Sequence, residues 1–335
     1  MRNILSIDGG GVKTYMPLRL LNEIEKRTKM PISQLFDYFA GVSAGALICS
    51  LLLIKNEEGI QKYSTDDIIN IFVSQCKIIF SYTYLGWIRT GFGLFDSTYS
   101  SANIEKSLSE YFNNINLCNL LKPVSIITYD LISNKPIFFN IEKYPNLQIK
   151  DCLLATTSAP TYFSPYEMSI NNNKYLFIDG GVVSNNPIEQ CFLDAYDFFN
   201  IKKNTTENKN IENFDKDVSV PEIQNFYTLS LGTGYYDVNY SLGNFGKIGW
   251  AGKIIDILFN ANISEHNYQL KLIDRFIDGN KLNRIDFKLK KSINLDDVYS
   301  FEQMKLIMDE WIITNNEKID KLCEELLHNL DKKLE

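Results

Sequence analysis

Histidine is nearly absent: the 335 residues carry only His266 and His328. His266 lies in a helical run from Ala261 to Leu272 with no glycine or turn nearby. His328 lies in the terminal helical run, beside Leu327 and Leu330. Neither has the setting of a catalytic imidazole. The six cysteines (Cys49, Cys76, Cys118, Cys152, Cys191, Cys323) are scattered, with no C-x-x-C pair. That pattern speaks against a disulfide framework or a zinc site and for buried free thiols. No cluster of carboxylates or histidines has metal-ligand spacing, so neither metal nor cofactor is expected. No basic run suggests nucleic acid, and a formal net charge of −7 opposes simple attraction to anionic lipid. The longest apolar run, Ala46 to Ile54, is far short of the ~20 residues that span a bilayer. The chain enters strand-like sequence at once (Ile4, Leu5, Ile7), without a signal-peptide pattern. The expectation is a cytoplasmic protein made soluble, with export lacking a cleaved signal left open.

What is present reads as a globular chain, 45% hydrophobic and 22% charged. Strand-like segments fall at residues 2–8, 123–130, 136–141, 174–178 and 226–231. Between them, helical spacing recurs: Leu18, Leu21 and Ile24; residues 46–54; Ile68 to Phe80; and residues 102–113, 149–158 and 188–199. Alternation of this kind through about residue 235 predicts an α/β fold, a three-layer sandwich with a mainly parallel sheet between helices. Beyond it, residues 286–290 read as an edge strand, and residues 248–278 and 300–333 as mostly helical. Residues 202–217 are almost devoid of apolar side chains and read as a flexible insertion. Aromatics interleaved with glycines over 81–101 read as a loop at a site mouth, or as core packing.

Three short stretches carry chemistry. Gly41-Val42-Ser43-Ala44-Gly45 lies between an apolar strand-like run and an apolar helical run. A serine on a sharp strand-to-helix turn projects its hydroxyl clear of the sheet, and the helix start favours developing negative charge. Gly9-Gly10-Gly11-Val12-Lys13-Thr14 follows the first strand. It fits a phosphate cradle, an oxyanion hole or a plain turn. Val12 stands where a Walker loop needs glycine, and Thr14 stands at the last glycine of a dinucleotide motif. Asp179-Gly180-Gly181 ends another strand and holds a carboxylate at a sheet edge.

Taken in order, Leu5 to Lys13, Gly41 to Gly45, Ala155 to Phe163 and Phe177 to Gly181 resemble the patatin-like phospholipases. Ser230 to Gly234 adds a weaker match, and the likeness covers roughly residues 3–235. The resemblance implies a lipid acyl hydrolase of phospholipase A type, a serine esterase with a Ser43–Asp179 dyad. A dyad removes the need for a histidine. The oxyanion hole would be formed around Gly9, Gly10, Gly11 and Ala44, with Lys13, Gly41, Gly45, Gly180 and Gly181 as supporting motif positions. Residues 1–290 would form the catalytic domain, with 291–335 a helical extension packed on it. The partners implied are a phospholipid or other acyl-ester lipid and transient contact with a membrane surface. An activating ligand or protein would also fit, because some members of the family are regulated effectors. Two further readings stand beside this one: a phosphate-binding module using Gly9 to Thr14, and a non-catalytic lipid-binding homologue.

Overall fold

The computed structural model describes residues 1–81, 97–206, 226–236, 257–258, 261–266, 268–269, 271 and 281–334. Most of the aromatic loop, the greater part of the polar insertion and most of residues 248–278 lie outside the described residues. The elements, in order, begin with β1 (Arg2–Ile7), a 3-10 turn (Gly11–Thr14), α1 (Tyr15–Thr28), α2 (Ile32–Leu35), β2 (Tyr38–Val42), α3 (Ala44–Leu52) and α4 (Thr65–Ile79). Next come α5 (Ser101–Phe112), β3 (Val124–Asp130), β4 (Lys135–Phe139), α6 (Ile149–Thr157), β5 (Tyr166–Ile170) and β6 (Asn173–Asp179). The chain continues through α7 (Gly181–Ser184), α8 (Ile188–Thr206), β7 (Phe226–Leu231) and β8 (Lys281–Ile285), and ends in α9 (Phe301–Thr314) and α10 (Asn316–Leu334).

The strands form one sheet in the order β5-β6-β3-β2-β1-β7-β8, with β4 also paired to β3. The run from β3 to β8 is parallel throughout, as the alternation of strands and helices predicts. Among the described strands the antiparallel pairs are β3 with β4, β3 with β6 and β5 with β6. The sheet is therefore mixed, with its parallel part at the centre.

Side-chain alternation explains the layers. Leu5 and Ile7 of β1 and Phe39 of β2 enter the larger core, with α1, α3 and α4. Their sequence neighbours Ile4, Tyr38 and Ala40 point to the opposite face, where Cys191, Phe192 and Ala195 of α8 cover them. Both faces are buried, so the central strands read as nearly continuous apolar runs. All six thiols are free, and all but Cys118 are buried.

Two elements differ from the sequence expectation. Pairing with β7 falls on Lys281–Ile285, and residues 286–290 hold only an isolated bridge between Tyr235 and Lys288. The helix expected to stop near residue 199 continues to Thr206, which places the first residues of the expected insertion in regular structure.

The C-terminal helices share the main core through Met304, Met308, Ile319, Leu322 and Leu326. Their anchor is Asn3. Its Nδ2 donates to the carbonyls of Leu35 (2.8 Å) and Leu326 (3.1 Å), and its Oδ1 accepts from Asn329 Nδ2 at 2.8 Å. All four groups sit out of solvent, where an unmatched acceptor is costly. Replacing Asn329 by leucine is expected to destabilise the fold by about 1–3 kcal/mol, because Asn3 Oδ1 loses its donor. The urea midpoint reads this directly, and an unchanged midpoint would rule the anchor out.

Candidate active site

The parallel strands deliver their C-terminal ends to one edge of the sheet. β1 runs into Asp8 and the three glycines, and β2 runs into Ser43. β6 arrives antiparallel, yet its end reaches the same place. Val42 pairs with Ile127, and Thr128 pairs with Asp179, so β2 and β6 end at one height along β3.

Ser43 has φ 54° and ψ −129°, a backbone conformation that costs a side-chain-bearing residue of order 1–3 kcal/mol. Three features hold it there. Its N–H donates to Thr156 Oγ1 at 2.9 Å, and that hydroxyl donates to the Ile127 carbonyl. The apolar helix α3 begins at the next residue, Ala44. Gly45 admits the end of β1: a Cβ there would lie 2.3 Å from the Ile7 carbonyl oxygen. Gly41, on the other side of the turn, packs directly against the backbone of Ala46.

Asp179 is buried, accepts a hydrogen bond at 2.7 Å from the N–H of Gly181 and lines the same pocket as Ser43. Burial pushes its carboxyl up to about 6, with the Ser43 hydroxyl and the Gly181 N–H pulling the other way. Its own N–H donates to the Ser158 carbonyl at 3.0 Å. Gly180 lies against the backbone of Ile127.

The glycine loop sits beside them. Gly10, Gly11, Ser43, Ala44, Asp179 and Asn185 all line one pocket. The N–H groups of Gly11 and Ala44 open a 3-10 turn and α3, where the first amides have no partner inside the helix. Gly9 is different. Its N–H already donates to the Asn185 carbonyl at 3.1 Å, so it is not a free donor and leaves the expected set. The amides of Val12 and Lys13 are also engaged, by the carbonyls of Leu295 (2.8 Å) and Gly10 (3.1 Å). A phosphate cradle needs a run of free amides, and this loop has spent most of them. Thr14 takes φ −62° and ψ −11°, ordinary right-handed backbone that needs no glycine.

Most of the rest of the pocket is apolar, with Leu47, Phe72, Cys76, Ile79, Phe80 and Phe163 in its wall. Among the described residues no histidine lines it. His266 instead lies 3.8 Å from Glu189 on α8, and His328 is exposed on α10.

Several residues at the site were not singled out in the sequence. Thr156 and Asn185 lie in or beside the matched motifs, where a buried polar residue after a strand or helix is a usable signal. Leu295 reaches the pocket from the C-terminal part and carries no such signal. Nor does Arg284 of β8, which reaches across Ser230 to grip Asp8 with both terminal nitrogens (2.8 and 2.6 Å) and touches Asp286 at 3.2 Å. Burial pushes the Asp8 carboxyl up to about 6 against the opposing pull of Arg284.

The model of the family described as "Patatin-like phospholipase" matches residues 5–192, more than half of the chain. The chain belongs to the patatin-like phospholipase family. Its relatives include "Patatin-like protein 2" of Arabidopsis thaliana, 26% identical over 85% of this chain and 70% of that protein. "Patatin-like protein 4" of the same plant is 26% identical over 93% of this chain and 83% of its own length. These alignments extend past residue 235 and take in much of the C-terminal part that the motifs alone do not reach. "Probable inactive patatin-3-Kuras 1" of Solanum tuberosum is 28% identical over 56% of this chain and 53% of its own. Membership of the patatin-like family is thus the family of a lipid acyl hydrolase, and whether one member acts as such turns on its own site.

Proposed function

We propose that this patatin-like protein hydrolyses acyl esters of membrane lipids, as a phospholipase of A type, through Ser43 and Asp179. The observation that carries the proposal is that Ser43, on its strained turn, shares one pocket with Asp179, a buried carboxylate whose affinity for protons is raised. Ser43 Oγ attacks the ester carbonyl carbon while its proton passes to Asp179. The N–H groups of Gly10, Gly11 and Ala44 receive the oxyanion, and losing one such donor costs about 10²–10³ in rate. The tetrahedral species collapses, the C–O bond to the alcohol breaks, and the proton on Asp179 goes to that oxygen. Water then attacks the acyl-serine and gives a proton to Asp179. Collapse releases the fatty acid, and the proton returns to Ser43 Oγ.

The apolar wall of Leu47, Phe72, Cys76 and Phe163 supports an acyl chain as the bound group. Such chains are found at membrane surfaces, and the proposal places the enzyme there transiently, as a peripheral protein. The presence of both Ser43 and Asp179 favours hydrolysis over mere lipid binding. A fluorophosphonate probe tests the reading. The folded protein is expected to be labelled at Ser43, and labelling that persists in Ser43→Ala, or fails in wild type, would refute it.

A further inference from the structure

Gly9 is held from both sides. Its carbonyl accepts two buried hydrogen bonds, from Thr233 Oγ1 at 3.0 Å and from Asn185 Nδ2 at 3.2 Å. Its N–H donates to the Asn185 backbone carbonyl at 3.1 Å. The Gly9 carbonyl belongs to the same peptide group as the Gly10 N–H. The chain has no cis peptide bond among its described residues, so that N–H points opposite to the carbonyl. Whatever fixes the one fixes the other. A carbonyl that accepts two hydrogen bonds is also polarised, and its partner N–H becomes a stronger donor.

We infer that Thr233 and Asn185 are positioning residues that aim the Gly10 N–H into the pocket and strengthen it as an oxyanion donor. The inference rests on the proposed acyl-transfer reading and names the side chains that prepare its oxyanion hole.

Two neighbouring features make the clamp rigid. Gly10 is packed so closely beneath Thr233 that a Cβ there would lie 2.3 Å from Thr233 Oγ1. The turn that carries Thr233 is pinned by Asp286, which accepts from the Gly234 N–H at 2.9 Å and is tied through Arg284 to Asp8, the residue before Gly9. β1 and β7 thus present their ends to each other through one network. The sheet pairing continues it, with the Asp8 N–H donating to the Leu231 carbonyl at 3.0 Å. The role of Asn185 follows from a short helix after Asp179, so the segment that supplies the base also supplies half of the clamp.

The test compares Thr233→Val, Thr233→Ser and wild type on a soluble p-nitrophenyl ester, with an alkyl trifluoromethyl ketone as an oxyanion-forming inhibitor. Valine keeps the shape of threonine and removes only the donor. Thr233→Val is expected to lower kcat at least about tenfold with KM within about twofold, because a misaimed donor loses part of the 10²–10³ that a complete one supplies. The inhibition constant is expected to rise in the same proportion as kcat falls, since both report on the oxyanion. Thr233→Ser, which keeps the hydroxyl, is expected to stay close to wild type. A kcat that falls while ketone binding stays unchanged would overturn the inference, as would a serine variant as impaired as the valine one. Full activity in Thr233→Val would overturn it too, while leaving the acyl-transfer reading intact. Wild-type protein without Ser43-dependent ester turnover would fail that reading itself, and the clamp's role with it.

Discussion

Ser43→Gly is expected to end fatty-acid release and, compared with Ser43→Ala, to leave a more stable protein. Removing the nucleophile of a serine hydrolase costs about 10⁴-fold or more in kcat. Both variants lose the hydroxyl, so their difference isolates the backbone. Alanine retains a Cβ at φ 54° and keeps the strain, whereas glycine adopts that conformation freely. Relief of about 1–3 kcal/mol, less the 0.5–1 kcal/mol of extra chain entropy that glycine loses on folding, leaves about 1 kcal/mol in favour of the glycine variant. Urea midpoints of the two proteins measure it. A glycine variant no more stable than the alanine one would mean that the turn at Ser43 is not strained. Retained release in either would mean that the serine is not the nucleophile.

Asp179→Asn is expected to lose about 10²–10⁴-fold in kcat, the contribution of a positioned general base. Wild-type activity should follow the same carboxyl. Burial raises it from 3.8 to about 6, and only the ionised form can take a proton from Ser43. Activity should therefore rise about tenfold per pH unit below 6 and level off above it. Stability moves the other way. A carboxyl whose value is raised on folding adds stability that is complete below pH 3.8 and is lost as pH climbs through 6. The difference corresponds to roughly 3 kcal/mol. Asparagine cannot ionise, so Asp179→Asn should be more stable than wild type at pH 7–8, and the gain should vanish below about pH 4. Asp8 titrates in both proteins and cancels in the comparison. A stability difference independent of pH would show that Asp179 is not ionised against its surroundings. An active variant would remove it from the mechanism.

Much of this site is legible in the chain because its parts are local. A serine between two glycines, with apolar runs on both sides, states a strand, a turn and a helix within a dozen residues. Asp179 is legible for the same reason, at the end of its own strand. Even the strand β5, which the sequence reading passes over, has a local signal. Asn171 and Asn172 join it to β6 with φ 51° and 66°, the left-handed pair of a two-residue hairpin turn. Polar Glu167 and Ser169 on its outer face hide the strand itself. What the sequence conceals depends on approach between distant segments. Whether Gly9 offers a free N–H is settled by the backbone carbonyl of Asn185, 176 positions away, and its own carbonyl is held by Asn185 and by Thr233, 224 positions away. Arg284 reads as an ordinary charge on a weak strand until β7 and β8 pair and carry it over Ser230 to Asp8. The apolar wall of the pocket likewise reads as helix core, since Phe72 and Cys76 sit on the buried stripe of α4.

The central claim is that Ser43 of this patatin-like protein forms an acyl intermediate drawn from lipid. Lipid analysis of phospholipid vesicles incubated with wild type and with Ser43→Ala tests it most directly. The account predicts free fatty acid and lysophospholipid in equal amounts from wild type and none above background from the variant. Equal release by the two proteins, or loss of phospholipid without any fatty acid, would contradict it.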